Sequence, residues 1–318
     1  MNKTTAYNHF CDILKKNHHD SILEHIKLNE PLKLKTTMKV GGPADYYLEP
    51  QTTEQAAIVY CAAFEAGLPC FILGKGSNLI VSDEGVEGLV LHMVNGHSSI
   101  YMQDEPGDMV SVTCDAGVTL SRLAAFCAEK SLQGMEFASG IPGTAGGAVW
   151  MNAGAYGEQM ADIIQQCESI DVSGKRYLRK VNELKFAYRS SIFSNANQEL
   201  ILSIVFLLKK GNSSEIMSKM KELNQKRAKS QPLSFPSAGS AFKRPEGYYA
   251  GKLIEDSDLK GYRIGDAAIS EKHAGFIVNH GQTSAAEIVQ LMEFVKKTVK
   301  QKFGVELEPE PEFIGRGF

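Results

Sequence analysis

Apolar positions along this chain keep a helical period in some stretches and form short extended runs in others, and the two kinds alternate from end to end. Phe10, Ile13, Leu14, Ile22, Leu23 and Ile26 recur at roughly helical spacing in a polar background, which predicts one or two amphipathic helices within residues 1–30. Residues 36–44, with Gly41-Gly42 read as a turn, break that pattern and lead into an extended Tyr46-Tyr47-Leu48. Thr52-x-x-Gln55 has the form of a capping box that opens a helix ending near Gly67 and Pro69, and 70–73 then reads as a buried strand, together a βαβ-like unit. From Leu89 short strands take over, at 89–93 and 109–114, followed by a helix from about 120 to 130. Residues 164–181 predict a hairpin turning at Ser173-Gly174, and 200–208 a central strand interrupted by Ser203. Past Lys209 the pattern gives a lysine-rich helix over 214–231, a helical 250–259 and short strands within 263–279. Ser284-x-x-Glu287 then caps a helix that runs to Phe303 and stops at Gly304. This order predicts an α+β chain, and 318 residues favour two or three subdomains over one core.

Against that background, residues 134–157 are unusual, packing seven of the 29 glycines into one stretch. Glycine at this density loses much backbone entropy on folding, so the return is close approach of bare N–H groups to something large, flat or anionic, such as a nucleotide cofactor. Phe137, Ile141, Val149, Trp150 and Met151 alternate with the glycines, which reads as buried backbone rather than tolerant surface loop. Another glycine turn, Gly74-Lys75-Gly76-Ser77-Asn78-Leu79, the first in chain order, lies some 60 residues earlier. Its amides can form a nest for a diphosphate, although it matches neither the phosphate-loop nor the dinucleotide fingerprint, and a tight hairpin is the plain alternative. Two such turns in one α+β region suggest one extended ligand held from both ends.

A net charge of −3 offers no basic surplus, which argues against nucleic acid as a partner. The six cysteines, at 11, 61, 70, 114, 127 and 167, form no C-x-x-C pair and no His-rich tract, so neither a metal site nor a disulfide framework is expected. No apolar run is long enough for a bilayer, and the first residues lack a signal peptide's charged start and apolar core, which predicts a cytoplasmic protein without membrane association. The sequence carries no signal for an oligomeric state.

Six blocks together resemble one family, the UDP-N-acetylenolpyruvylglucosamine reductases, flavoenzymes that complete UDP-N-acetylmuramate for peptidoglycan. They are Thr37-x-x-Val-Gly-Gly-Pro-Ala44, Gly74–Asn78, Gly140-Ile-Pro-Gly-Thr-x-Gly-Gly147 continuing to Asn152-Ala-Gly-Ala-Tyr-Gly157, Tyr188-Arg-x-Ser-x-Phe193, Ala238-Gly-Ser-x-Phe-Lys243 and Leu307-Glu-Pro-Glu310. They stand in the family's order across nearly the whole chain. The resemblance implies an FAD-binding fold of the vanillyl-alcohol-oxidase type, with 1–88 and 89–211 clasping the cofactor, 212–310 binding substrate, and the tail 311–318 returning to the first subdomain. By the same resemblance FAD contacts fall on Gly74, Lys75, Gly76, Ser77, Asn78, Leu79, Ser139, Gly140, Pro142, Gly143, Thr144, Gly146, Gly147, Asn152, Gly154 and Tyr156. No histidine lies in 74–81 to tether a flavin, so dissociable FAD is expected, with NADPH as hydride donor.

Hydride addition to an enolpyruvyl ether leaves negative charge beside a carboxylate, so preorganised cations and a proton donor should dominate catalysis. Taken singly, Arg189 reads as a surface ion-pair partner, Ser240 as a cap or turn residue and Glu310 as one acid of a solvated tail. The resemblance instead implies that Arg189 holds the carboxylate, Ser240 donates the proton and Glu310 joins the same site. Tyr188, Arg227, Arg244, Lys260 and His273 are the residues expected to bind the substrate, UDP-N-acetylglucosamine enolpyruvate. Ser237 and Arg244 stand where many relatives have Asn, and Asp266 replaces a Gly. The segment from Ser240 to Glu310 is too short for the extra loop of one branch, which places the chain in the compact branch. Two alternatives remain on the residues alone: an oxidase of the same fold that uses O2, and a nucleotide-sugar binding module without activity.

Overall fold

The computed structural model describes residues 3–94, 99–194 and 198–318. The chain divides into two units, and it passes between them more than once. The first comprises Met1–Lys27, Tyr46–Lys75 and Gly88–Gln225; the second comprises Leu28–Asp45, Gly76–Glu87 and Lys226–Phe318.

The first unit holds two cores. In one, helix Lys3–Lys16 buries Ala6, Phe10 and Leu14 with Ala56, Val59 and Ala63 of helix Thr53–Glu65 and with Leu89 and Leu91. Thr52 caps the latter helix by accepting from the Gln55 N–H at 3.0 Å. The Gln55 side chain accepts from Gln51 N–H, one residue before the position that a reciprocal box would use. Strand Cys70–Leu73 pairs in parallel with Leu89–His92. Ahead of this, the early helical pattern yields one helix; the rest is a 3-10 turn at Asp20–His25 and a strand at Lys27–Pro31.

The second core of this unit lies under a sheet ordered Arg176–Lys180, Ile164–Asp171, Glu199–Lys210, Met109–Asp115, Ile100–Asp104, with Leu132–Gln133 added beside Glu199–Lys210. The central strand serves both cores. Leu200 and Leu202 join the first, whereas Ile204, Phe206 and Leu208 join the second, although all carry even numbers. The register explains the change of face: Glu168 pairs with Ser203 but Ser169 with Ile201, so a bulge at Leu202 reverses the alternation. The glycine-rich stretch 134–157, read above as buried backbone, contains a 3-10 turn, Glu136–Ala138, and a short helix, Ala145–Trp150, started by the Thr144 hydroxyl accepting from Gly147 N–H at 3.2 Å.

The second unit is built around helix Ala285–Phe303. Ser284 and Glu287 form a full capping box, and Gly304 ends the helix at φ +72°. The Asp83 carboxylate adds to this start, accepting from Ala285 and Ala286 N–H at 2.9 and 3.1 Å. Ile288, Leu291, Met292 and Val295 pack on the antiparallel sheet Ser237–Ser240, Phe276–Asn279, Ala267–Ile269, Arg263–Ile264. Met38, Val40 and Ile80 complete that core from the two earlier segments. The helical stretch expected over 250–259 ends at Glu255, because Asp258 turns left-handed at φ +62°. Tail strand Glu312–Ile314 pairs in parallel with Leu79–Val81. Among the described residues, no helix is long and apolar enough to cross a membrane.

Candidate active site

In the first unit the start of the earlier glycine turn, Gly74, meets the later one at Thr144. A Cβ built on Gly74 would lie 2.8 Å from the Thr144 hydroxyl, closer than packed atoms approach, so only glycine lets the first turn rest on the second. Gly146 is equally tight against Ala116, and the Ala145 and Gly146 N–H groups donate to Val118 and Ala116 carbonyls at 2.8 Å. The inner amides are thus satisfied by the protein. Lys75, Pro142 and Gly147 stay exposed, and Ser139, Gly140 and Gly143 are half-buried. Ser139 donates its hydroxyl to Glu136 C=O at 2.9 Å and closes the 3-10 turn.

Two residues of the second glycine stretch have internal tasks. Asn152 is 2% exposed; its amide donates to Gln159 Oε1 at 2.9 Å and to Ala187 C=O at 3.0 Å, while its Oδ1 accepts from Ala161 N–H at 3.0 Å. Tyr156 donates its hydroxyl to Leu223 C=O at 3.0 Å, and Gly154 pairs with Gln159. Asn152 thereby anchors the turn that carries Tyr188 and Arg189. That turn is closed by Ala187 and Ser190, which exchange main-chain hydrogen bonds at 3.0 and 3.2 Å. Arg189 sits in it at φ +53°, a conformation that costs a side-chain-bearing residue about 1–2 kcal/mol and suits glycine. Its guanidinium lies over the Tyr188 ring, 5.0 Å from the centroid.

In the second unit the residue after Ser240 pairs with Glu310. Ser240 ends a strand and pairs with Phe276, which corrects its reading as a cap or turn residue. The next residues line up with the tail: Ala241 C=O accepts from Glu310 N–H at 3.2 Å, Phe242 bridges Pro309, and Lys243 N–H donates to Glu308 C=O at 2.8 Å. Asn78 of the first glycine turn donates its side-chain amide to Glu310 C=O at 3.1 Å. Gly76, at φ +61°, lies so close to Lys35 and Thr36 that a Cβ would sit 2.5 Å from the Lys35 carbonyl oxygen. Thr37 fixes this arrangement, donating its hydroxyl to Ser237 C=O at 2.6 Å and its N–H to Gly76 C=O at 3.0 Å. Ser77 and Leu79 continue the turn into the strand that receives the tail. Thr37 carried no assigned task in the sequence reading, and no spacing signal could have supplied one, because its partner Ser237 is so distant along the chain.

The expected substrate contacts divide. Arg244 is exposed and stacks over Tyr249 at 4.0 Å, and Arg227 is half-buried near the end of helix Ser213–Ser230. Lys260 is exposed and paired with Glu255 at 2.7 Å. His273 is half-buried, and its Nδ1 accepts from Gly275 N–H at 3.1 Å. Burial pushes its pKa below the ordinary value and the Lys260 charge adds to this, so at neutral pH it offers hydrogen bonds but no positive charge. Asp266, the departure from Gly, accepts from Gln282 N–H at 2.9 Å and steadies the turn ahead of helix Ala285–Phe303. The described residues contain no cluster of His, Cys, Asp or Glu fit for a metal ion.

Residues 44–177 match the family described as FAD binding domain, and residues 231–314 match the one described as UDP-N-acetylenolpyruvoylglucosamine reductase, C-terminal domain. A protein of Lachnoclostridium phytofermentans named UDP-N-acetylenolpyruvoylglucosamine reductase is 46% identical over 92% of this chain and 94% of its own length. One of the same name from Clostridioides difficile is 42% identical over 99% of each. The crystal structure of UDP-N-acetylenolpyruvylglucosamine reductase from Thermus caldophilus superposes with a TM-score of 0.74 at 35% identity, covering 91% of this chain and 98% of that one. The expected α+β fold with an FAD-binding domain is the one found. With two such relatives matched almost end to end, and with the six motif blocks placed in one fold, the chain belongs to the UDP-N-acetylenolpyruvoylglucosamine reductase family.

Proposed function

We propose that this chain uses FAD and NADPH to reduce UDP-N-acetylglucosamine enolpyruvate to UDP-N-acetylmuramate. The observation that carries the reading is the pairing of Ala241 with Glu310, which brings Glu310 to the residue next to Ser240, since a proton donor and a carboxylate are what an enolpyruvyl reduction needs in one place. The residues at the glycine turns fit FAD: backbone without side chains at Gly74, Gly143 and Gly147 keeps an open face, where a Cβ at Gly74 would obstruct Thr144. The holders of FAD are Gly74, Lys75, Gly76, Ser77, Asn78 and Leu79 in the first turn. In the second they are Ser139, Gly140, Pro142, Gly143, Thr144, Gly146, Gly147, Gly154 and Tyr156, with Asn152 acting from behind. Bound and reduced by NADPH, FAD supplies a hydride to the terminal carbon of the enolpyruvyl group.

Charge then grows on the neighbouring carbon and its carboxylate. Arg189 meets it with a planar pair of N–H donors, and the left-handed turn fixes the arginine before substrate arrives. Ser240 gives its proton to the charged carbon. Glu310 polarises the carboxylate or returns a proton to Ser240. Tyr188, Arg227 and Arg244 serve the diphosphate; Lys260 and His273 stand at its margin, one already paired and one uncharged. We assign cofactor binding to 1–88 and 89–211 and substrate binding to 212–310. We place the enzyme in the cytoplasm, where both nucleotide substrates are found.

Anaerobic titration of the yellow protein, first with NADPH and then with the enolpyruvyl nucleotide, tests this. Bleaching followed by recovery of colour is expected, and a bleached protein that the nucleotide fails to reoxidise would sink the reading. Peroxide formed in air at the rate of turnover would favour an oxidase instead. Ser240→Ala should keep the first stage and lose most of the second; equal loss in both removes Ser240 from proton donation.

A further inference from the structure

We infer that Asn78 is a positioning residue for Glu310, coupling the first glycine turn to the proton-handling stage. The inference rests on the reductase reading above. Asn78 sits within the turn assigned to FAD, yet its side-chain amide is directed elsewhere, donating to Glu310 C=O at 3.1 Å. Its own main-chain carbonyl accepts from Glu312 N–H at 2.9 Å, and parallel pairing continues as Leu79 with Glu312, Ile80 with Phe313 and Val81 with Ile314. One residue therefore grips the tail on both sides of Pro311.

The backbone at Glu310 has little freedom left. Pro309 and Pro311 flank it, so two neighbouring φ angles are fixed and Glu310 itself is driven to extended conformations. What the prolines leave open is the tilt of the peptide joining Glu310 to Pro311, and that carbonyl is the one Asn78 holds. On the opposite edge, Glu310 N–H donates to Ala241 C=O at 3.2 Å, one residue past Ser240. Glu310 is thus pinned to the Ser240 strand by its N–H and to the glycine turn by its C=O. Releasing the second anchor lets the Glu310 peptide tilt and carries its side chain relative to Ser240, while the parallel pairing of the tail with Leu79–Val81 is kept, because the Glu312-to-Asn78 bond is main chain to main chain.

The test is a double-mutant cycle of Asn78→Ala with Glu310→Gln at saturating FAD, reading the two stages separately by stopped-flow absorbance. Asn78→Ala should slow the second stage about tenfold more than the first, as expected for a misplaced catalytic group. It should also raise the solvent deuterium isotope effect of that stage alone. In the Glu310→Gln background the extra loss should vanish. Equal slowing of both stages, or losses that multiply in the double variant, would overturn the inference. Should Asn78→Ala fail to fold, near-isosteric Asn78→Asp, which sets an acceptor against the Glu310 carbonyl, must reproduce the same pattern; a wild-type-like second stage overturns the inference. Should the wild-type chain not act on the enolpyruvyl nucleotide, the reductase reading falls by itself. Hydrogen exchange at Glu310 N–H then decides the positioning claim: faster in Asn78→Ala supports it, unchanged refutes it.

Discussion

Asn152 offers the sharpest separation of a cofactor contact from a scaffold. The side chain is fully engaged with Gln159, Ala161 and Ala187, and 2% of the residue is exposed. Asn152→Gly keeps the backbone at φ +46° accessible while deleting all three bonds. Gln159 and Ala187 are exposed and recover water, so their loss counts little. The Ala161 N–H is half-buried, and leaving it unpaired, with a small void, costs about 2 kcal/mol. Glycine adds up to about 1 kcal/mol through the freer unfolded chain. Asn152→Ala exchanges that last contribution for a left-handed cost of about 1–2 kcal/mol. Both variants should therefore lose about 3 kcal/mol, which for a unit of this size lowers the melting midpoint by about 6–12 °C. The assay is thermal unfolding of the FAD-free protein followed by circular dichroism, repeated with FAD added. If the FAD-free variants melt with the wild type and differ only once FAD is present, Asn152 is a cofactor contact and the scaffold argument is wrong.

Three further outcomes follow from the same geometry. Gly74→Ala forces the first glycine turn off Thr144 and should weaken FAD uptake by about 1–3 kcal/mol, read by fluorescence titration; unchanged affinity would deny that the two turns share one ligand. Asp171 is held down to about 2 by hydrogen bonds, from the Ser173 hydroxyl first and then the Tyr177 hydroxyl and the Lys175 and Ser173 N–H groups, so its folded pKa lies below the unfolded one. Its stabilisation of the hairpin is present above the unfolded value and fades as pH falls toward 2, and Asp171→Asn should remove that acid dependence in an acid melt. Burial pushes the Cys127 thiol up to about 12, Cys167 higher still and Cys114 well above its ordinary value, so none of the three should react with iodoacetamide at pH 8 in the native protein, whereas all should be labelled after denaturation. Mass mapping of the labelled peptides checks this.

Local rules were legible wherever a residue's partner lies within a few positions. Ser284, Glu287 and Gly304 bounded their helix, Gly174 turned its hairpin, and Thr52 capped as its spacing implied. They failed where tertiary neighbours decide. Glycine in 143–147 hides a helix because Gly146 is selected by contact with Ala116, not by propensity. The change of face along Glu199–Lys210 follows from one bulged residue, which leaves no mark on composition. Arg189 shows the same limit from the functional side: its left-handed backbone is invisible in the string Tyr-Arg-Ser-Ser, and only the motif's resemblance singled it out.

The threading of the chain explains why the motif residues are so scattered. Residues 28–45, 76–87 and 226–318 form one unit, and each contributes a residue to a single hydrogen-bonded junction: Thr37 from the first, Asn78 from the second, and Ser237, Ala241 and Glu310 from the third. A junction assembled from three separated stretches has high closure entropy, so it cannot be stable before the core beneath it forms. Met38, Val40 and Ile80 provide that core with the long helix, each close in sequence to a junction residue. Opening a cavity beneath the helix with Leu291→Ala should cost about 2–5 kcal/mol and loosen the junction as well, whereas Asn78→Ala should loosen the junction alone. Exchange at Glu310 N–H that responds to Asn78→Ala but not to Leu291→Ala would mean that the apolar core does not hold the junction together.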